Sequence, residues 1–258
     1  MTIGDDLLLL AVGTGRRRPR IRSEHRLRIA LRTSELAELC LAGRIAFGPR
    51  RIEVLDPAPV EDRRLTGVLL GLGRTVPPPS FHDWLRRSPS SLTTEYFSRL
   101  EDQKALRCRR RRGADGRTHH EVLSVDVARR RAVLGRLDVL VRSAPQAPPD
   151  PRDLVLAVLV GVADIAPAAY PGIRGAAARR RLAALTSSES TLLAATQAGD
   201  PLGGGRAGAP PAPGFLPAGQ LANELVGLYS DVTTGGHGLA HSLDSGGWSD
   251  SGGGGHSD

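Results

Sequence analysis

The 258-residue sequence has only two cysteines, Cys40 and Cys108, one methionine and 3% aromatic residues. Two cysteines are too few for a disulfide framework in a chain of this length, and no third Cys or clustered His completes a metal site with either. With so few aromatic side chains, the core must consist mainly of Leu, Val and Ala, and a hydrophobic content of 40% is enough to build one. These features favour a mainly helical protein of a reducing, cytoplasmic compartment.

Long hydrophobic runs are also missing. The run from Leu7 to Val12 follows two aspartates, so it has neither the length nor the positively charged lead of a signal peptide. The longest later stretch, from Leu154 to Ala163, is about half of what a helix needs to cross a bilayer. The sequence therefore predicts that any association with a membrane is peripheral.

Motifs of catalysis and cofactor binding are absent from the sequence as well. It contains no Gly-x-Ser-x-Gly elbow and no P-loop, and the pair Gly71 and Gly73 lacks the third glycine of a dinucleotide-binding fingerprint. His119 and His120 are neighbours in a predicted strand, so their side chains point to opposite faces and are poorly placed to bind one metal ion together. We therefore expect a non-enzymatic protein that uses no metal and no cofactor.

Positive charge, by contrast, is abundant. The chain has 35 Lys and Arg residues against 27 Asp and Glu residues, a net charge of +8 and a pI of about 10.7, and Lys104 is its only lysine. This excess favours a partner with negative charge, either the phosphates of nucleic acid or an anionic membrane surface. An arginine-rich and alanine-rich composition of the source would produce the same excess, so charge alone does not decide between binding and bias.

Hydrophobic periodicity predicts a helix followed by a hairpin near the N-terminus. Apolar residues recur at three- and four-residue spacing from Leu27 to Leu41, and Gly43 lies where a helix C-cap residue would. Alternation then predicts strands at Arg44–Phe47 and Arg51–Val54. The same reasoning predicts helices at 61–72, 91–103, 127–141, 152–166, 171–185 and 188–197, a short helix capped by Ser80, a second hairpin at 105–125, and either a helix or a strand at 7–12.

The predicted helix at 152–166 is apolar nearly all round, which indicates the centre of the fold. From Gly199 the composition changes to Gly, Pro, Ser and Ala, which cannot bury enough surface to become ordered. We therefore predict a single, mainly α-helical domain at residues 1–197 around this central helix, with one or two short β-hairpins. Residues 198–258 are predicted to form a disordered C-terminal tail.

The order of these segments resembles the Golgi phosphoprotein 3 (GPP34) family, which includes many actinobacterial members. Asp5-Asp6 leads into a run of leucines, and Leu36–Ile45 is similar to the family's ELALRGRI block. Trp84 lies near a short helix, Leu100–Leu106 stands in place of LVERGVL, and the apolar helix Asp153–Asp164 follows. The chain is thus identified as an actinobacterial-type member of this family.

This resemblance, which spans residues 3–197, implies a non-enzymatic peripheral membrane protein. The family binds the headgroup of phosphatidylinositol 4-phosphate and, in eukaryotes, tethers client glycosyltransferases to Golgi membranes. A tryptophan and three arginines hold the headgroup there, and the first arginine falls on Arg32. The tryptophan position falls near Ser23 and the remaining arginine pair near Ser90 and Thr93, where a hydroxyl cannot replace the bidentate fork of a guanidinium.

Other arginines close in sequence offer a substitute for the missing ligands. The predicted headgroup site therefore consists of Arg32, Arg28, Arg86, Arg87, Ser90 and Thr93. The family's apolar, membrane-inserting hairpin corresponds here to Arg109–His120, which is strongly basic and favours adsorption to a surface over insertion. The predicted partners are an anionic phospholipid surface at the inner face of the membrane and client proteins.

The alternative is a winged-helix-like protein that binds nucleic acid. Ser91–Val125 is a predicted helix followed by a basic hairpin, which is how such domains present a recognition helix and a wing. The candidate recognition helix, however, carries three acidic residues and one arginine. A phosphate backbone would repel such a face, so we expect no nucleic acid partner.

Overall fold

The protein is mainly helical and carries two antiparallel hairpins, as predicted. A computed structural model describes residues 1–12, 24–48, 51–113, 118–142 and 150–185. The elements are α1 (Ile3–Ala11), α2 (Glu24–Leu41), β1 (Ile45–Phe47), β2 (Ile52–Val54), α3 (Arg63–Arg74), α4 (Phe81–Arg86), α5 (Leu92–Asp102), β3 (Leu106–Arg112), β4 (Thr118–Val125), α6 (Val127–Arg142), α7 (Pro151–Val162), α8 (Ala166–Ala169), a 3-10 turn (Ile173–Gly175) and helical residues 176–185.

Helices α1, α2 and α7 pack against one another and form the centre of the core. The segment at 7–12, predicted as either a helix or a strand, is helical in the structure and belongs almost entirely to α1. This helix begins at Ile3, where Thr2 and Asp5 form a capping box. Every residue of α1 is buried, and so is α7 from Leu154 to Val160. The predicted central helix is therefore confirmed as buried, although it shares the centre with α1 and α2.

Some predicted helix boundaries are wrong. The helix expected at 152–166 ends at Val162, since Asp164 adopts a left-handed conformation (φ 57°) and the separate helix α8 follows. Helix α3 begins two residues later than predicted, because the Asp62 carboxylate caps it by accepting hydrogen bonds from the amides of Arg64 and Leu65. The start of the expected helix at 171–185 is a 3-10 turn. The predicted helix at 188–197 and the predicted tail lie outside the described residues.

Helices α3, α4 and α5 each pack on α2, and this arrangement surrounds the candidate site. Gly43, at the predicted C-cap position, has a positive φ (66°) after α2 and lets the chain turn directly into β1. The β1–β2 hairpin is in turn tied to the loop between α3 and α4, because the Ile52 amide donates a hydrogen bond to the Pro79 carbonyl at 2.9 Å. Phe47 also packs edge to face on Phe81 at the start of α4.

The second hairpin, β3–β4, packs on α5 and is named here the basic ribbon. The Cys108 amide donates to the Glu101 carboxylate of α5 at 2.9 Å, and the His120 ring stacks on Phe97. Five arginines of the ribbon are exposed to solvent: Arg107, Arg109, Arg110, Arg111 and Arg112. The ribbon is therefore held against the domain by one face and presents a row of guanidinium groups.

Candidate functional site

An open pocket of about 600 Å³ lies between helices α2, α3, α4 and α5. Its volume is in the range of ordinary small-ligand sites. We call it the arginine pocket; its lining consists of Arg32, Arg63, Arg64, Gly67, Val68, Gly71, Trp84, Glu95 and Arg99. The arginines come from three different helices, so the fold gathers guanidinium groups that are far apart in the sequence.

Arg32 and Trp84 form one wall of the pocket. The guanidinium carbon of Arg32 lies 4.3 Å from the centroid of the Trp84 ring, a cation–π contact that fixes both side chains. The two residues are only 8% and 9% exposed. Neither Arg32 Nε nor Trp84 Nε1 has a hydrogen-bond partner among the residues that the structure describes. Buried N–H groups are rarely left unsatisfied, so these two donors in the pocket wall stand out as groups that no described residue satisfies.

The buried carboxylate of Glu35 contacts both Arg32 and Arg64 and fixes their orientation. It accepts a hydrogen bond from Arg32 Nη1 at 2.8 Å and is paired with Arg64 Nε. The Tyr96 hydroxyl lies 3.5 Å from the same carboxylate, and burial together with Glu35 raises the pKa of Tyr96, so the phenol stays protonated as a donor. Burial alone would lower the pKa of Arg64, but Glu35 and Glu95 raise it, so Arg64 remains a cation.

Glu95 closes the outer side of Arg64. Its carboxylate pairs with Arg64 Nη1 and accepts a hydrogen bond from Ser91 Oγ at 2.6 Å. These two hydrogen bonds lower the pKa of Glu95 and keep it ionised. Since its side chain is 47% exposed while that of Glu35 is fully buried, Glu95 is the carboxylate of this pair that can leave Arg64.

Arg99 is neutralised separately, by Asp5 at 2.9 Å and by Asp62. Burial would raise the pKa of Asp62, but hydrogen bonds from Arg99 and from the amides of Leu65 and Arg64 lower it. Arg63 is exposed and forms no ion pair with any other residue in the described part of the chain. The pocket is therefore close to electrical balance, with uncommitted donors at Arg32, Trp84 and Arg63.

Two glycines of α3 keep the pocket open. A Cβ placed on Gly67 would meet nothing within 4 Å, and a Cβ on Gly71 would lie 3.3 Å from Cη2 of Trp84. Because they are four residues apart on the helix, they lie on the same face. This face provides space in front of the tryptophan for a ligand.

The predicted site residues are only partly gathered here. Of the six, Arg32 lines the arginine pocket, and the other five do not. Arg28 is half-buried, and its guanidinium lies 3.0 Å from His25 Nδ1. Arg86 and Arg87 are exposed at the end of α4, whereas Trp84 and Leu85 of the same helix are buried. Ser90 is exposed before α5, and Thr93 is buried in its first turn.

Sequence reasoning missed the roles of Arg64, Glu35 and Trp84 in this pocket. One usable signal was present: Arg63 and Arg64 begin a helix in which Gly67 and Gly71 share a face, a pattern that leaves the charged groups beside open space. The contact between Trp84 and Arg32 had no such signal, because it depends on the packing of α4 on α2.

Neither cysteine is suited to nucleophilic chemistry. Burial raises the pKa of the Cys40 thiol to about 11, and burial together with Glu101 raises that of Cys108 to about 12. Both thiols are therefore protonated at neutral pH, and a protonated thiol is a poor nucleophile.

The relationship to known proteins agrees with the resemblance seen in the sequence. No curated protein matches this chain. The profile of the Golgi phosphoprotein 3 (GPP34) family matches residues 3–201, a range that contains all four helices around the arginine pocket. The chain belongs to the Golgi phosphoprotein 3 (GPP34) family.

Proposed function

We propose that this protein is a non-enzymatic, peripheral membrane protein that binds a phosphorylated lipid headgroup, of the phosphatidylinositol 4-phosphate type, in the arginine pocket. The observation that carries the proposal is the pair of buried, unpartnered donors, Arg32 Nε and Trp84 Nε1, on the wall of an arginine-lined pocket. Phosphate oxygens are acceptors that match such donors, and guanidinium groups bind them with charge-assisted hydrogen bonds.

In this proposal the phosphate takes the place of Glu95 in front of Arg64. One phosphate oxygen accepts hydrogen bonds from Arg32 and Trp84. Arg64 keeps its ion pair with Glu35 through Nε and donates to the phosphate from Nη1, the atom that Glu95 releases. Arg63 at the pocket mouth adds a further positive charge. The headgroup ring lies over Gly67 and Gly71, where no side chain opposes it.

Membrane attachment is proposed to be peripheral and to take place at the inner face of the membrane, with client proteins as further partners. Within the described ranges, every helix is too short or too polar to cross a bilayer. The basic ribbon supplies general adsorption, since each arginine near an anionic surface contributes on the order of 1 kcal/mol. The pocket supplies the preference for one kind of headgroup.

A matched pair of glycine substitutions on α3 tests the proposal. Gly67→Leu fills the pocket, whereas Gly73→Leu adds the same side chain at an exposed position outside it. Leucine is a better helix former than glycine by up to about 1 kcal/mol, so both variants should fold. In sedimentation with phosphatidylcholine vesicles that carry phosphatidylinositol 4-phosphate, we expect Gly67→Leu to lose about tenfold or more in binding and Gly73→Leu to bind as wild type.

Equal binding by the two variants would contradict the proposal. So would equal binding of the wild type to these vesicles and to vesicles that carry phosphatidylinositol at the same surface charge.

The winged-helix-like alternative is not favoured by the surroundings of α5. Leu92, Tyr96 and Phe97 are buried in the core, and β3 packs on the same helix. A recognition helix must leave one face free to enter the major groove of DNA. Strong, salt-sensitive binding of duplex DNA without binding to vesicles would reverse this preference.

A further inference from the structure

We infer that the outer edge of α3 and the loop after it form an apolar anchor that enters the lipid interface beside the arginine pocket; this inference rests on the proposed function. The edge, named the α3 rim, exposes apolar residues where a soluble surface usually carries polar ones. Val76 is 88% exposed and Leu70 is 44% exposed. Pro77 and Pro78 are exposed as well.

Helix geometry places the rim next to the pocket. At 3.6 residues per turn, Arg63, Gly67, Leu70 and Arg74 fall within about 60° of one another around α3. Arg63 and Gly67 line the pocket, so Leu70 and Arg74 continue its border. The loop that carries Val76 then joins α3 to α4, and these two helices supply Gly71 and Trp84 to the same pocket.

The loop is held in place at both ends. The Thr75 hydroxyl donates to the Gly71 carbonyl at 2.8 Å, and the Thr75 amide donates to the Leu72 carbonyl at 3.2 Å. At the other end, Pro79 is buried and its carbonyl accepts the Ile52 amide. Val76 therefore points outward from a loop that is already fixed. The loop loses little conformational entropy when the Val76 side chain enters the lipid interface.

The charges around the rim match an anionic bilayer. Arg63 and Arg74 lie on α3 on either side of Leu70, and Arg74 is two residues before Val76. Arg86 and Arg87 are exposed at the end of α4. Asp83 is the acidic group of α4, and it accepts a hydrogen bond from Ser80 Oγ. Apolar side chains with arginines around them are typical of segments that lie in the interface, with the charges at the phosphate level and the hydrocarbon below it.

A matched pair of serine substitutions tests the anchor. Val76→Ser removes apolar surface from the rim, and Ile173→Ser removes it from the 3-10 turn, where the side chain is 93% exposed and lies on none of the four pocket helices. With the full-length chain and the same vesicles, we expect Val76→Ser to weaken binding about fivefold and Ile173→Ser to leave it unchanged. Val76→Trp should strengthen binding, since tryptophan prefers the interface, and its emission should shift to the blue.

A soluble ligand separates this inference from the proposed function. Inositol 1,4-bisphosphate carries the headgroup phosphate without a bilayer, so Val76→Ser should bind it as wild type does. If the wild type binds neither inositol 1,4-bisphosphate nor the vesicles, both the proposed function and the anchor are refuted. If it binds both, but Val76→Ser and Ile173→Ser sediment equally with vesicles, only the anchor is refuted. A change in oligomeric state of Val76→Ser without vesicles would identify the rim as a contact between copies of the chain and also refute it.

Discussion

The arginine pocket and the basic ribbon use the same residue in two physical settings. In the pocket, Arg32, Arg64 and Arg99 come from separate helices, are largely buried and are paired with carboxylates. In the ribbon, the arginines follow one another along a strand and are exposed, and Arg111 pairs with Glu121 while itself 61% exposed. The run of arginines in the ribbon thus forms a solvated surface, whereas the buried cluster of the pocket has no run to reveal it.

This difference has an energetic consequence. Burying a guanidinium is costly unless a carboxylate compensates it, so Arg32, Arg64 and Arg99 each depend on a specific partner. An exposed ribbon arginine needs none and acts through its charge at a distance, in a way that salt screens. The pocket is therefore suited to selecting a ligand, and the ribbon to attraction toward any anionic surface.

The largest expected contrast is in stability. Glu35→Ala leaves Arg32 and Arg64 without their buried counter-ion and should lower the free energy of unfolding by about 3–5 kcal/mol. Glu121→Ala breaks the exposed pair with Arg111 and should cost at most about 1 kcal/mol. Urea unfolding of both variants measures the difference. Similar decreases in the free energy of unfolding of the two variants would show that the buried ion pairs of Glu35 contribute no more to stability than an exposed pair does.

A second contrast concerns adsorption. Replacing Arg109 and Arg111 by Gln should weaken binding to anionic vesicles about tenfold or more at low salt, because each arginine contributes on the order of 1 kcal/mol. The effect should shrink as salt is raised, and binding of inositol 1,4-bisphosphate should not change. The control replaces Arg180 and Arg181, which are also exposed but lie in helical residues 176–185. An equal loss in the control would mean that net charge, and not the ribbon, drives adsorption.

The smallest expected effect is a gain. Glu95→Gln keeps the shape of the side chain but removes the charge that competes for Arg64, and it should raise the affinity for inositol 1,4-bisphosphate about two- to fivefold. Asp102→Gln on the exposed end of the same helix is the matched control and should change nothing. Titration calorimetry measures both. A loss of affinity in Glu95→Gln would mean that Glu95 holds the ligand and does not compete with it.

Local signals in the sequence predicted much of the fold. The path from α2 through Gly43 into the β1–β2 hairpin is confirmed, because glycine at a positive φ and strict alternation are both local features. The break at Asp164 was missed, since a left-handed aspartate within an apolar stretch has no distinctive pattern. The short run of leucines alone did not distinguish a helix from a strand, and the capping box of Thr2 and Asp5 marks the start of helix α1.

The site was less predictable than the fold. Arg32 was found through the family resemblance, and it lines the pocket. Its neighbours Arg64 and Trp84 come from helices that are distant in sequence, and only the packing of α3 and α4 on α2 brings them together. Arg86 and Arg87 were predicted because they lie close in sequence to the missing ligand positions, but α4 buries Trp84 and Leu85 and leaves these two arginines exposed.

The central claim, that the arginine pocket holds a phosphorylated headgroup, is tested most directly by the fluorescence of Trp84. Replacing Trp248, the only other tryptophan, with Phe isolates its signal. We predict that inositol 1,4-bisphosphate changes the Trp84 emission saturably, that Gly67→Leu abolishes the change, and that Gly73→Leu preserves it. No change in the parent protein, or the same change in Gly67→Leu, would contradict the account.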